Sequence, residues 1–243
     1  MKWKAIIVSD LHLGTKDSKA KDFINFIEEN PTELLILNGD IVDGWALSRG
    51  AKWKKQHTKV LSKLLKLANK TKIIWIRGNH DEFIKEFIGS EFGNISILEN
   101  YILEVGSKRY FIFHGDVIDV FITKYKWLAK IGSIGYDFAL WLNRWYNRWR
   151  AWRKLPYRSI SQQIKAGVKA ATNYINDFET TAIKLAHKQG CTGVVCGHIH
   201  QPADLIIGGD HYLNSGDWVE NRTALMVSKA GEITLFTLKD PGL

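Results

Sequence analysis

Five apolar runs in this chain each end in a small polar cluster, and this repeated junction constrains the fold more than any other feature. Ala5-Ile6-Ile7-Val8 gives way to Asp10-Leu11-His12, Leu34-Leu35-Ile36-Leu37 to Gly39-Asp40, and Ile73-Ile74-Trp75-Ile76 to Gly78-Asn79-His80-Asp81. Further on, Tyr110-Phe111-Ile112-Phe113 meets His114-Gly115-Asp116, and Gly193-Val194-Val195-Cys196 meets Gly197-His198-Ile199-His200. Short continuous apolar runs suit strands buried on both faces, as in α/β proteins. Ligands of open α/β sheets gather beyond the carboxyl ends of the strands, so the runs predict strand ends of one sheet converging on a single rim.

The clusters carry carboxylates, an amide and imidazoles, the donor chemistry of a two-metal hydrolytic site acting on a phosphate ester or anhydride. A lone Asp or His after a strand is an ordinary turn former. Five in succession are not explained that way. Oxygen and imidazole donors without a thiolate suit Mn²⁺, Fe²⁺, Zn²⁺ or Mg²⁺, with Mn²⁺ the first expectation. A carboxylate shared by two such ions would hold them ~3.5–4 Å apart, close enough to clamp one phosphoryl group. His57 and His187 fall in lysine-rich helical patterns and are expected to face solvent.

The series DLH, GD, GNHD, HGD and GHIH resembles the calcineurin-like metallophosphoesterase superfamily over residues 5 to about 217. The resemblance implies an α/β fold, a layered sandwich of two β-sheets flanked by helices, with two divalent ions at the carboxyl ends of the strands. It implies Asp10, His12 and His200 on one ion, Asn79, His114 and His198 on the other, and Asp40 bridging them. It also implies that His80 donates a proton to the leaving oxygen or stabilises it. Asp43, three residues after Asp40, would then fix the His80 tautomer.

A chain of 243 residues accommodates one large domain, taken as 1–243, with an insertion. Two cysteines, Cys191 and Cys196, make no disulfide framework and fit a reducing cytosol. Met1-Lys2-Trp3-Lys4 leads directly into the first run with no signal-peptide core, and no apolar stretch reaches the length of a spanning helix. A cytoplasmic location is expected. Oligomeric state is not readable from the sequence.

Between the fourth and fifth clusters, residues 138–176 contain eight Lys or Arg and no Asp or Glu, in a chain of formal net charge +9. Trp141, Trp145, Trp149 and Trp152 fall on one helical stripe with arginines beside it, and Pro156 ends the pattern. The stripe has three readings: tryptophans packed on the core, a cap or membrane-surface helix meeting anionic lipid, or a nucleic-acid groove. A second helix is expected from Ser161 to about Gln189, and the tail from Asp204 reads as alternating short strands, including Arg222 to Val227 and Ile233 to Leu238, expected to complete the second sheet.

Within the superfamily the chain is most similar to the UDP-2,3-diacylglucosamine pyrophosphatases of lipid A biosynthesis. That similarity implies a helical cap at about 118–176 that takes acyl chains, with peripheral contact to the inner face of the membrane. Asn79, His80, Trp145, Arg148, Trp149, Lys165 and Lys169 are then the candidates for substrate contact. One residue departs from the pattern: that family carries arginine where this chain has His80. Two substrate classes follow, a lipid-linked nucleotide-sugar pyrophosphate, or a nucleotide or nucleic-acid phosphodiester. A non-catalytic scaffold is disfavoured because every expected ligand is present.

Overall fold

The structure is a computed structural model describing residues 2–119, 153, 175 and 177–239. The chain divides into two compact units, Met1–Asp116 with Ala182–Leu243, and Val117–Thr181. Trp145, Arg148, Trp149, Lys165 and Lys169 lie outside the described residues, as does most of the expected helix from Ser161. Of that helix, residues 177–188 are described and helical.

The first unit holds two sheets. Seven strands form one of them: β1 (Trp3–Val8), β2 (Thr32–Asn38), β3 (Lys72–Ile76), β4 (Glu91–Phe92), β5 (Ile95–Leu98), β11 (Thr223–Val227) and β12 (Ile233–Thr237). Their order is β12-β11-β1-β2-β3-β5-β4, and β1, β2, β3 and β5 run parallel. The other five are β6 (Tyr101–Val105), β7 (Lys108–Ile112), β8 (Gly193–Cys196), β9 (Ala203–Ile207) and β10 (Asp210–Asn214), in the order β6-β7-β8-β10-β9.

Apolar residues occupy both faces of the central strands, which is why they read as continuous runs. Ala5 and Ile7 of β1, Ile36 of β2 and Ile74 and Ile76 of β3 face the second sheet, packing with Leu103, Ile112, Val195 and Leu213. The alternate residues Ile6, Val8, Leu35, Leu37 and Ile73 face the helices. There α1 (Ala20–Glu29) presents Ala20, Phe23, Phe26 and Ile27, while α3 (Lys55–Leu67) presents His57, Val60 and Leu64, the three- and four-residue spacings of one helical face. Burying each large aliphatic contributes roughly 1.5–3 kcal/mol. The short helix α2 (Gly44–Ser48) starts at Asp43, whose side chain accepts the Ala46 N–H at 2.6 Å.

Two expectations are corrected. The five clusters do not end strands of one sheet: Asp10, Asp40 and Asn79 follow β1, β2 and β3, whereas His114 and His198 follow β7 and β8 of the other. The rim is therefore the mouth between two stacked sheets. The C-terminal strands also do not all complete the second sheet. β9 and β10 do, but β11 pairs antiparallel with β1 and carries β12 outward, so both join the first sheet. All five residues of β11 are buried, because β11 lies between β1 and β12 with both faces covered.

Candidate metal centre

Among the described residues, non-glycine positive φ angles occur at Asp10, His12, Asp40, His198, His200 and Arg222. Each costs an L-residue ~1–2 kcal/mol, and such conformations persist where the surroundings fix the backbone. Five of the six are expected metal ligands, so the loops are held in shapes that turn these side chains inward. Backbone bonds lace the loops together: Asp10 N–H to Gly39 O at 3.0 Å, His12 N–H to Asp40 O at 2.9 Å, and Gly197 N–H to His114 O at 2.9 Å.

Three triplets meet here: Asp10 with His12 and His200, Asp40 with His12 and His80, and Asp40 with His114 and His198. Within each, the donor atoms lie within 4.8 Å of one another. Asp40 is common to two of them. Its Oδ1 accepts the His80 N–H at 2.8 Å, while its Oδ2 lies 3.2 Å from His114 Nε2, 3.8 Å from His12 Nε2 and 4.0 Å from His80 Nε2. Asp10 Oδ2 accepts the His198 N–H at 3.0 Å, and Asp10 Oδ1 faces His200 Nε2 at 3.2 Å. The His12 and His200 Nε2 atoms are 3.4 Å apart.

His114 shows what this crowding means. Its Nδ1 lies 2.8 Å from the Asn38 carbonyl, which can only accept, so Nδ1 carries the proton. Nε2 then turns a lone pair toward the carboxylate oxygen of Asp40, and only a proton or a cation between them relieves the repulsion. Burial alone would discourage a charged ring, but the negative charge of Asp40 beside it, with Asp10 further off, pushes the His114 pKa up to about 10. At His12 burial is likewise outweighed, by Asp10, Asp40 and Asp43, and the pKa rises to about 9. Burial would raise the Asp10 carboxyl, yet His12 and His200 hold it well below the usual carboxylate range.

Among the described residues, the buried atoms Asp10 Oδ1, Asn79 Oδ1 and His114 Nε2 have no hydrogen-bond partner. A carboxylate, an amide oxygen and an imidazole nitrogen, all desolvated and aimed inward, are what divalent ions of the Mn²⁺, Fe²⁺, Zn²⁺ and Mg²⁺ type accept as ligands. The residues therefore fit a pair of divalent cations.

Around this centre, Asp43 Oδ2 lies 3.1 Å from His12 Nδ1 and its Oδ1 3.1 Å from His80 Nδ1. Burial would raise the Asp43 carboxyl; the Ala46 N–H, then His80 and His12, hold it below its ordinary value. Trp45 lies against His80, ring centroids 4.4 Å apart. Asp81 is fully buried and accepts four N–H groups, from Asp40, Ile41, Gly78 and the Trp75 indole. Asn38 donates to Phe113 O at 3.1 Å, tying β2 to the His114 loop. Asn214 donates to Gly197 O at 2.9 Å, and Asp217 collects the N–H groups of Val219, Glu220 and Asn221, bracing the loop behind His198 and His200.

His57 does not face solvent. It is buried, and its Nδ1 accepts the Gly14 N–H at 3.1 Å, pinning the loop after His12. His187 is exposed and pairs with Asp210 at 2.8 Å.

A family model for calcineurin-like phosphoesterases matches residues 4–202. The chain belongs to that family, whose members are metal-dependent hydrolases of phosphate esters. Among curated relatives it is similar to the UDP-2,3-diacylglucosamine hydrolase of Salmonella schwarzengrund, 25% identical over 212 residues, covering 82% of each chain. The enzyme of that name from Salmonella agona is 24% identical over 213 residues, again covering 82% of each. Among solved structures it is similar to an archaeal phosphodiesterase (15% identity, TM-score 0.45, covering 96% of this chain and 99% of that one). It is also similar to the phosphoesterase YfcE of E. coli (14% identity, TM-score 0.45, covering 97% and 99%).

Proposed function

We propose that this chain hydrolyses the pyrophosphate of UDP-2,3-diacylglucosamine, or of a similar lipid-linked nucleotide sugar, at a centre of two divalent ions, Mn²⁺ being the first choice. The observation that carries the reaction is the arrangement around Asp40, where Oδ2 faces the inward nitrogens of His114, His12 and His80. Asp10, His12 and His200 would hold one ion, Asn79, His114 and His198 the other, and Asp40 both. Bound ions of this kind supply Lewis acidity at the phosphoryl oxygens and an activated water.

The chain's own residues do the rest. Asp43 accepts from His12 Nδ1, which leaves His12 Nε2 for the centre, and its other oxygen sits against His80 Nδ1. That contact turns His80 Nε2 toward the substrate side, where it can give a proton to the departing oxygen. The Trp45 ring limits how far His80 can swing. Asn79 is flanked along the chain by two anchored N–H groups, Gly78 to Asp81 and His80 to Asp40, so its backbone is held in place.

The substrate reading is supported by the diacylglucosamine hydrolases, similar at 25% identity over most of both chains. The cap role of residues 118–176, the contacts of Trp145, Arg148, Trp149, Lys165 and Lys169, and peripheral membrane contact belong to the same proposal. Among the described residues no helix is long and apolar enough to cross a membrane. His80, where the resemblance to the diacylglucosamine pyrophosphatases implies arginine, favours a second reading as a phosphodiesterase of nucleotides or nucleic acid. A panel with Mn²⁺ separates them: acylated UDP-sugar, plain nucleotide-sugar, cyclic dinucleotide and single-stranded DNA. The first reading expects preference for the acylated substrate, lost in Trp145→Ala/Trp149→Ala, with bis-p-nitrophenyl phosphate still cleaved. Faster turnover of DNA or cyclic dinucleotide overturns it.

A further inference from the structure

Asn79 and His114, expected on the same ion, come from different sheets, Asn79 following β3 and His114 following β7. Strand pairing alone therefore does not fix their spacing. Arg77 is placed to do so. It stands between the last residue of β3 and Gly78, and its backbone N–H donates to Leu98 O, at the end of β5, at 3.0 Å. Its guanidinium reaches in three directions. Nε and Nη2 donate to the two carboxylate oxygens of Glu99 at 3.2 and 2.9 Å, and Nη1 donates to Gly78 O at 3.2 Å. The same Nη1 lies 3.4 Å from Asp116 Oδ2.

These contacts bear on the site. Gly78 O belongs to the peptide that leads into Asn79, and the Gly78 N–H is held by Asp81 at 2.7 Å, so both polar groups of Gly78 are anchored. Asp116 follows His114 by two residues. The Arg77–Asp116 pair thus ties the Asn79 loop of the first sheet to the His114 loop of the second. Its side chains are 14% and 16% exposed, against 44% for Glu99, so the link across the sheets is the sheltered half of the cluster. Sheltered pairs are screened less than exposed ones. A lysine could not replace this arginine, because only the planar fork serves a carboxylate bidentately and further acceptors at once.

Asn79 has the most to lose from a slack loop. Its Oδ1 is buried without a hydrogen-bond partner, and a neutral amide offers an ion no net charge, so its contribution rests on where it stands. We infer that Arg77 is a positioning residue for the second ion, setting the separation of Asn79 and His114 by holding Gly78 O and Asp116 together. The inference rests on the two-ion reading above and adds to it a residue outside the expected ligand set. The sign of the effect separates placement from charge. A cation near a metal site repels the metal, so loss of the Arg77 charge alone would tighten binding. Loss of its placement weakens binding, on the ~10–100-fold scale of partners outside the ligand shell.

The test uses the full chain, stripped of metal and titrated with Mn²⁺ by calorimetry, with electron paramagnetic resonance to tell a coupled pair from a lone ion. Wild type should take up two ions. Arg77→Gln should keep one at wild-type affinity and bind the other at least tenfold more weakly, giving a lone-ion signal at Mn²⁺ levels that saturate the wild type. In the metal-free variant, amide hydrogen exchange should quicken at 77–80 and 114–116. Arg77→Lys should not restore the second ion. Asp116→Asn, which keeps the Glu99 and Gly78 contacts, should weaken the same ion, and the double variant should be no worse than Arg77→Gln. If Arg77→Gln does not fold, Asp116→Asn carries the test with the same readouts. Two ions at wild-type affinity in Arg77→Gln, tighter binding of the second, or equal weakening of both overturns the inference while the two-ion reading stands. A wild type that holds a single ion removes that reading, and the inference with it.

Discussion

Replacing Asp81 by asparagine should destabilise the fold by about 2–4 kcal/mol, although Asp81 is not itself an expected ligand. Its Oδ1 receives the N–H groups of Gly78 at 2.7 Å and Asp40 at 3.3 Å, and its Oδ2 those of Ile41 and the Trp75 indole, both at 3.1 Å. An amide keeps one oxygen and turns an NH₂ toward two of these donors. Each buried donor left without an acceptor costs ~1–3 kcal/mol, so the pair is worth ~2–6. Against this, burial, and after it the charge of Asp40, push the Asp81 carboxyl above its ordinary range, so removing the charge returns part of the loss. Urea unfolding of metal-free Asp81→Asn, Trp75→Phe and the double variant measures both effects. With the indole donor already gone, the asparagine penalty should shrink by about 1 kcal/mol. A penalty below about 0.5 kcal/mol, or strict additivity of the two changes, would refute the four-donor account.

Three other outcomes are expected. Gly78→Ala would drive a methyl group into the Asp40 side chain and backbone, and a displacement of ~1 Å can cost ~100-fold in rate; kcat/KM and Mn²⁺ affinity should fall together, and a near-native variant would contradict the packing. With His12 at about 9 and His114 at about 10 in the metal-free protein, both hold a proton near neutrality, so divalent ions must displace protons. Mn²⁺ affinity should therefore climb with pH up to that range, and calorimetry in buffers of different ionisation enthalpy should register proton release; affinity flat between about pH 6.5 and 8.5 would contradict it. Burial, with Lys54 nearby, lowers the His57 pKa below 6.5, so the unfolded chain takes up a proton first and stability contributed by the neutral ring is lost as pH falls below about 6.5. Comparing wild type with His57→Asn by thermal unfolding should show the extra acid sensitivity in the wild type alone.

The donor set was legible because each ligand sits where an apolar run stops, and a buried parallel strand leaves no choice about which end carries the loop. The partner of each strand was not. Val8 and Phe113 end runs that look alike, yet their strands belong to different sheets, because pairing is decided by crossovers and not by composition. The same holds for β11: five buried residues announce a strand, but nothing in them says that it lies beside β1. His57 was hidden by its lysine-rich neighbours. The spacing of His57, Val60 and Leu64 did put it on the buried face of α3, and that stripe was the available signal. Asp81, Asn38 and Asn214 have no role in the sequence reading because they bind backbone of distant loops, although Asp81 directly follows His80 in its motif; Asp217 has none because an acid that caps its own polar turn is an ordinary feature of a loop. The tryptophan and arginine stripe at 141–152 falls wholly outside the described residues.

The central claim is that Asp40 sits between two cation positions. Metal-stripped protein reloaded with Mn²⁺, assayed by elemental analysis and by anomalous diffraction, tests it most directly. The account predicts two ions per chain on either side of the Asp40 carboxylate, with both occupancies reduced in Asp40→Asn. A single anomalous peak at saturating Mn²⁺, or two full peaks surviving in Asp40→Asn, would contradict it.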